Sequence, residues 1–224
     1  MNKLTKRLDT IAKIVSGEIV CDVGCDHGKL AYYLLENNIV KYIYVSDISM
    51  PSLKKAIDLL TPKYDNFQAI CTNGLKDYKS DMHIDECIIS GMGGYEIVEI
   101  IKNSPIQIDS YILSPQQNIV ETKKFMLDIG YNILFDIIIK DKDKFYTIFK
   151  CQKTNRKVHF SEYELMFGRD NFSPVNHDFV DYVNYESNKI KKIIDRIEDE
   201  SKKKEFVEKL KFFDQAKKEL KEYE

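Results

Sequence analysis

Apolar residues at Leu4, Leu8, Ile11, Ala12 and Val15 recur at helical spacing and predict one amphipathic helix from Asn2 to Val15, closed by Gly17. The pattern then changes period. The apolar run in "IVCDVG", from Ile19, reads as a buried strand, and "KLAYYLLENN" behind it reads as a helix from Lys29 to about Asn37. Strand-like "YIYVSDI", "NFQAICTN", "DECIISGM" and "SYILSPQ" follow in order. Helical "MPSLKKAIDLL", with Ser49 as its cap and Pro51 in its first turn, the loop "GLKDYKSDMH" and helical "YEIVEIIKNS" separate them. A helix from Ile119 to Asp128 ends the series. Strands alternating with helices imply parallel pairing with right-handed crossovers.

The alternation stops at "YNILFDIIIKDKDKFYTIFKCQK", which reads as two long strands around a tight charged turn, hence an antiparallel hairpin. A dinucleotide-binding dehydrogenase would continue with crossovers instead. The expected fold class is therefore α/β, a seven-stranded sheet with an antiparallel final hairpin. Beyond residue 153 the character is different. "SEYELMFG" predicts a short helix capped by Ser161 and ended by Gly168. From Asp178 onward two helical stripes appear, Phe179, Val183, Ile190, Ile193, Ile194 and Ile197, then Phe206, Leu210, Phe213, Leu220 and Tyr223. The apolar-free "DESKKK" between them marks the turn of a coiled-coil-like helical hairpin. One unbroken helix is the alternative, since no Gly or Pro breaks the run. The expected division is residues 1–153 and residues 154–224, the first folding and binding its ligand without the second.

Charge and cysteine content narrow the classes. The net charge of −2 argues against a globally basic nucleic-acid binder, yet the first helix carries Lys3, Lys6, Arg7 and Lys13 against Asp9 alone. Five cysteines lack a CxxC pair, and no apolar run approaches the roughly eighteen residues of a membrane span. No leader pattern is present and no His/Cys set has metal-ligand spacing. A cytoplasmic monomer with reduced thiols, no membrane contact and no metal is expected.

The chemistry concentrates in "DVGCDHG". A phosphate-cradling turn uses small neutral residues and bare N–H groups at a helix N-terminus, whereas Asp22 and Asp26 would repel phosphate. Acids suit a ligand with a cationic end, and S-adenosylmethionine carries an ammonium and a sulfonium but no phosphate. Gly24 allows close backbone approach, and Gly28 allows the following helix to pack tightly. Asp47, ending the second strand about twenty residues on, sits where an acid reaches a ribose diol. Asn73 and Gly74 end the third strand, where an amide could bond an adenine amine. "ISGMGG" offers bare backbone at Gly91, Met92, Gly93 and Gly94 with room for a flat ring, beside Pro115 and Gln116 of "LSPQQN".

Taken together, "KRLDTIAKIV", "CDVGCDHGKL", "ISGMGG", "ILSPQQN" and "KFYTIFK" resemble, in order and spacing, the bacterial tRNA (adenine(22)-N1)-methyltransferases. The resemblance covers essentially the whole chain. It implies a Rossmann-like class I methyltransferase fold with a C-terminal coiled-coil domain, S-adenosylmethionine as cofactor and tRNA as partner. It further implies methylation of adenine N1. The cofactor set is then Asp22, Gly24, Asp26, His27, Gly28, Asp47, Asn73, Gly74, Gly91 and Met92. The substrate set is Arg7, Gly93, Gly94, Pro115 and Gln116. Two positions depart from the family pattern: Cys25 stands where serine is common, and Asn73 where aspartate is common.

Adenine N1 carries no proton in the neutral base, so its methylation needs orientation more than a strong base. A carboxylate could favour the developing positive charge, with Asp26 the first catalytic candidate and Asp9 the second. Arg7 and the basic helix are expected to hold tRNA phosphate, outside a pocket that begins after Val20. The rival readings are a methyltransferase acting on a small molecule or protein, and a catalytically silent RNA-binding module.

Overall fold

The computed structural model describes residues 4–156 and 158–222. Seven strands form one sheet in the order β3-β2-β1-β4-β5-β7-β6. β1 (Ile19–Val23), β2 (Tyr42–Asp47), β3 (Phe67–Cys71), β4 (Glu86–Ser90) and β5 (Ser110–Ser114) run parallel. β6 (Tyr131–Asp141) and β7 (Lys144–Lys153) form the antiparallel hairpin, and β7 inserts beside β5. Strand order reverses at β1, which opens a crevice between the carboxyl ends of β1 and β4.

Helices cover both faces. α1 (Lys6–Ile14), α2 (Lys29–Glu36) and α3 (Met50–Leu60) bury Ile11, Leu34, Leu53 and Leu60 against one face. α4 (Gly94–Lys102) and α5 (Ile119–Asp128) bury Ile97, Ile101 and Met126 against the other. The Ser49 hydroxyl accepts the N–H of Ser52 at 3.4 Å, as a cap does. α1 starts later than its apolar stripe predicts, because Thr5 caps it by accepting the Leu8 N–H at 3.3 Å. The expected start at Asn2, and Lys3 with it, lies outside the described residues.

The C-terminal segment holds α6 (Glu162–Phe167), α7 (His177–Ile194) and α8 (Glu200–Glu222). Ser161 and Glu164 form a reciprocal capping box at α6. α7 and α8 are separate helices packed on each other, so the single unbroken helix is excluded. The turn, however, falls at Asp195–Asp199 and takes only the first residue of "DESKKK". Asp199 accepts the N–H groups of Ser201 (2.9 Å) and Lys202 (3.1 Å), which fixes the start of α8 there. The charged run lacks apolar residues because it is the exposed first turn of α8, and Ile197 consequently lies outside α7. Tyr223, placed on the second stripe, is outside the described residues.

Side chains from this segment pair with the free edge of β6. Asp170 accepts the Asp136 N–H (2.8 Å), Asn171 the Ile138 N–H (3.0 Å) and Asp178 the Lys140 N–H (3.0 Å). Asn176 donates to the Ile138 carbonyl at 2.8 Å. An edge strand left bare is a template for aggregation, and here carboxylates and amides take the place of an eighth strand. Phe167, Phe179 and Phe213 are fully buried in the cluster that continues this contact onto Ile138. The expectation that residues 1–153 stand alone therefore meets a physical obstacle: their last strand pair is finished by residues beyond 153.

Candidate functional site

Side chains alternate across a strand, so Val20 and Asp22 of β1 point to the same face as Ile88 and Ser90 of β4. Toward the carboxyl ends this face carries a cavity of about 100 Å³ instead of core. Arg7 and Leu8 of α1, Asp22, Gly24, Cys25, Asp26 and His27 of the β1–α2 turn, Lys29 and Leu30 of α2, and Ser90 line it. A larger groove of about 520 Å³ runs between Lys124, Tyr131 and Phe160 at the other end of the sheet, away from the strand carboxyl ends. Ligands bind in sheets of this kind at the carboxyl ends, next to the switch point, which singles out the smaller cavity.

The turn is held from β2. The N–H groups of Gly24 and Cys25 both donate to the Ser46 carbonyl, at 2.8 and 3.0 Å. Asp47 then accepts the Asp26 N–H at 3.2 Å through one oxygen and the Ser49 N–H at 2.8 Å through the other. Gly28 has φ +66°, and a side-chain carbon there would stand 2.7 Å from Ala56 Cβ, so the turn lies against α3 only because Gly28 has none. Gly24, at φ +74°, would carry its side chain into Met92 Cε at 2.4 Å. That contact brings the "GMGG" loop against the first turn.

Asp22 is 5% exposed, and among the described residues no side chain pairs with it. Burial, and secondarily the Asp47 charge, push its carboxyl up to about 7. Asp26 is 72% exposed at the rim, with His27 Nε2 3.5 Å from its carboxylate. His27 also meets Lys55 Nζ at 3.0 Å. Cys25 is buried, and burial followed by the Asp22 and Asp47 charges raises its thiol, so it is a packed neutral group.

Loops after β4 and β5 are stitched together. Gly91 N–H donates to the Ser114 carbonyl (3.1 Å), Gln116 N–H to the Met92 carbonyl (2.9 Å) and Gly94 N–H to the Gln117 carbonyl (3.0 Å). Pro115 is buried in this seam and Gln116 is exposed. Asn73 is exposed beyond β3, and Gly74 lies against Ile100 of α4. Neither lines the cavity, and Asp9 does not reach it either: its carboxylate pairs with Lys13 at 2.7 Å. Lys6 pairs with Asp178 of α7. The basic helix thus spends two of its cations on neighbouring acids.

Arg7 is the exception. It lines the cavity, its guanidinium lies 4.8 Å from the Tyr146 ring centre, and its backbone N–H donates to Asp141 at 3.0 Å. Reading the sequence did not single out Ser90, Lys29 or Leu30 as cavity lining, nor the Tyr146 ring as the support of Arg7. Ile48, directly after Asp47, is 70% exposed and does not line the cavity.

The chain is similar to several known proteins. A relative from Mycoplasma pneumoniae is 28% identical over 168 residues, covering 73% of this chain and 78% of the relative. The tRNA (adenine(22)-N(1))-methyltransferase of Bacillus subtilis is 23% identical over 173 residues, covering 74% and 72% of the two chains. The structure of M. capricolum TrmK, solved with the cofactor product S-adenosyl-homocysteine, superposes with a TM-score of 0.87 at 26% identity over 97% of this chain and 99% of that one. A family model described as "Methyltransferase domain" matches residues 4–149, and this chain belongs to that family.

Proposed function

We propose that this protein methylates N1 of an adenine in tRNA, position 22, using S-adenosylmethionine. The observation that carries the cofactor reading is the cavity itself: Asp22 and Asp26 face Arg7 and Lys29 across a turn pinned by Asp47. Opposed charges suit the zwitterionic end of an amino-acid cofactor, and they disfavour a dinucleotide pyrophosphate. The tRNA reading is supported by the names of the relatives and by the order of motifs along the whole chain.

Bound S-adenosylmethionine would supply an electrophilic methyl group on sulfur. Asp47 has lone pairs for a ribose diol beside its two backbone contacts, and Ile48 offers an apolar surface for the attached adenine. The buried acid Asp22 and the rim acid Asp26 receive the cationic end. Gly93 leaves open backbone for a base flipped out of the tRNA. The unprotonated N1 needs no proton removed before it attacks, so the residues act by orientation and by electrostatics. In this reading Asp26, exposed at the rim, favours positive charge on the methylated ring.

In this reading residues 1–153 hold the cofactor, residues 154–224 add surface for the tRNA, and a tRNA substrate places the enzyme in the cytoplasm. Among the described residues no helix is long and apolar enough to cross a membrane. The test is transfer of labelled methyl from S-adenosylmethionine to unmodified total tRNA, followed by nucleoside analysis and mapping. Label in 1-methyladenosine at position 22 is the expected result. No transfer to tRNA, or label in another nucleoside, overturns the reading.

A further inference from the structure

Arg7 carries the one cation of α1 that faces the cavity, and among the described residues its guanidinium has no hydrogen bond or ion pair to an acid. Lys6 and Lys13, on the same helix, both have carboxylate partners. A guanidinium cannot shed its charge, so a half-buried one beside a cavity calls for an anion. Its position is fixed on two sides. Asp141 accepts the backbone N–H of Arg7 at 3.0 Å, and the Tyr146 ring supports the planar group at 4.8 Å. The Nη1 atom stands 3.4 Å from where a side-chain carbon of Gly91 would be, an ordinary contact distance, so the guanidinium lies beside the loop that follows β4.

The surrounding charges say which anion fits. A tRNA phosphate brought into this cavity would meet Asp22 and Asp26, which repel it. A carboxylate attached one carbon from an ammonium would instead set its positive group toward those acids and its negative group toward Arg7. The N-terminus of α2 opens onto the same cavity through Lys29, and Gly28 ahead of it provides no side-chain cap. We propose that Arg7 clamps the α-carboxylate of the methyl donor, and is a cofactor residue and not a tRNA-phosphate contact. This rests on the methyltransferase reading above, and it reverses the role that the basic helix suggests in the sequence.

The test compares two ligands in the full chain by calorimetry: S-adenosylmethionine, and its decarboxylated form, which keeps the ammonium, sulfonium and adenosine. Arg7→Ala is expected to weaken S-adenosylmethionine roughly 10- to 150-fold, the range for losing hydrogen bonds to a charged group. The decarboxylated ligand should bind the variant as it binds the wild type. Arg7→Gln, which keeps the length and packing of the side chain without its charge, should show the same selectivity. Equal losses for both ligands would mean that Arg7 only shapes the cavity, and would overturn the clamp. Unchanged S-adenosylmethionine affinity with weakened tRNA binding would overturn it in favour of the phosphate contact. Failure of the wild-type protein to bind either ligand would overturn the methyltransferase reading itself.

Discussion

Asp47, the last residue of β2, accepts the backbone N–H of Asp26 at 3.2 Å, so the acid that ends one strand fixes the turn that follows another. Its second oxygen holds the Ser49 N–H at 2.8 Å at the start of α3. Asp47→Ala removes both acceptors together with the proposed ribose contact. Affinity for S-adenosyl-homocysteine is expected to fall by about 1.5–3 kcal/mol. Asp47→Asn, which keeps acceptor capacity through its amide oxygen, should lose less. Calorimetry that finds wild-type affinity in folded Asp47→Ala would remove Asp47 from the site.

Asp22 gives the site a pH dependence. Its carboxyl is raised to about 7 by burial and by Asp47, against 3.8 for the ordinary group. The folded free protein therefore binds this proton more tightly than the unfolded chain does. Stability from that proton is present at low pH and is lost as pH rises through about 7. A cationic ligand needs the ionised form. Cofactor affinity should accordingly rise between about pH 6 and pH 8, with proton release on binding. Asp22→Asn should flatten that rise, weaken binding, and stabilise the free protein at pH 8. Binding that is independent of pH in the wild type would contradict Asp22 as the ammonium partner.

The sheet was legible because period-two and period-3.6 patterns map directly onto strands and helices; α3 begins behind its Ser49 cap, and α5 spans the expected Ile119–Asp128. The acids of the first turn were legible because Asp22 and Asp26 contradict a phosphate loop. Arg7 was expected outside the pocket, whereas it lines the cavity. An amphipathic stripe says which residues avoid the core, not which of them meets a cavity built by β1 and β4. The α7–α8 turn was displaced for a related reason: Asp199 caps α8 with its side chain, a contact that hydrophobic spacing does not register.

Asn171 is fully buried between β6 and the C-terminal segment. It accepts the Ile138 N–H at 3.0 Å and donates to the carbonyls of Phe167 (2.6 Å) and Asp136 (3.3 Å). Asn171→Leu leaves these groups buried without partners, at a cost of roughly 2–4 kcal/mol of unfolding free energy in urea titration. Truncation after Lys153 removes the same partners along the whole β6 edge and uncovers Ile138. The truncated chain should aggregate, and light scattering from the purified fragment is the check. A monomeric fragment with wild-type cofactor affinity would show that the edge needs no cover.

Gly93 and Gly94 are neighbours with opposite constraints. A side-chain carbon on Gly94 would stand 2.4 Å from Thr122 Oγ1 and 2.5 Å from the Gln117 carbonyl, so Gly94→Ala must push α4 away from α5 and lower stability. Gly93 has ordinary extended backbone, φ −68° and ψ 148°, and no atom lies within 4 Å of where its side-chain carbon would be. Packing and conformation alike tolerate a larger residue there. If the open backbone of this loop receives the flipped adenine, Gly93→Phe fills that space. Its melting temperature and cofactor affinity should match the wild type, while tRNA methylation drops by about tenfold or more, the scale expected when reacting groups are displaced by an ångström or so. Gly93→Ala, adding one carbon, should fall between the two. Full methylation by folded Gly93→Phe would place the base elsewhere, and the loop would then serve only to join β4 to α4.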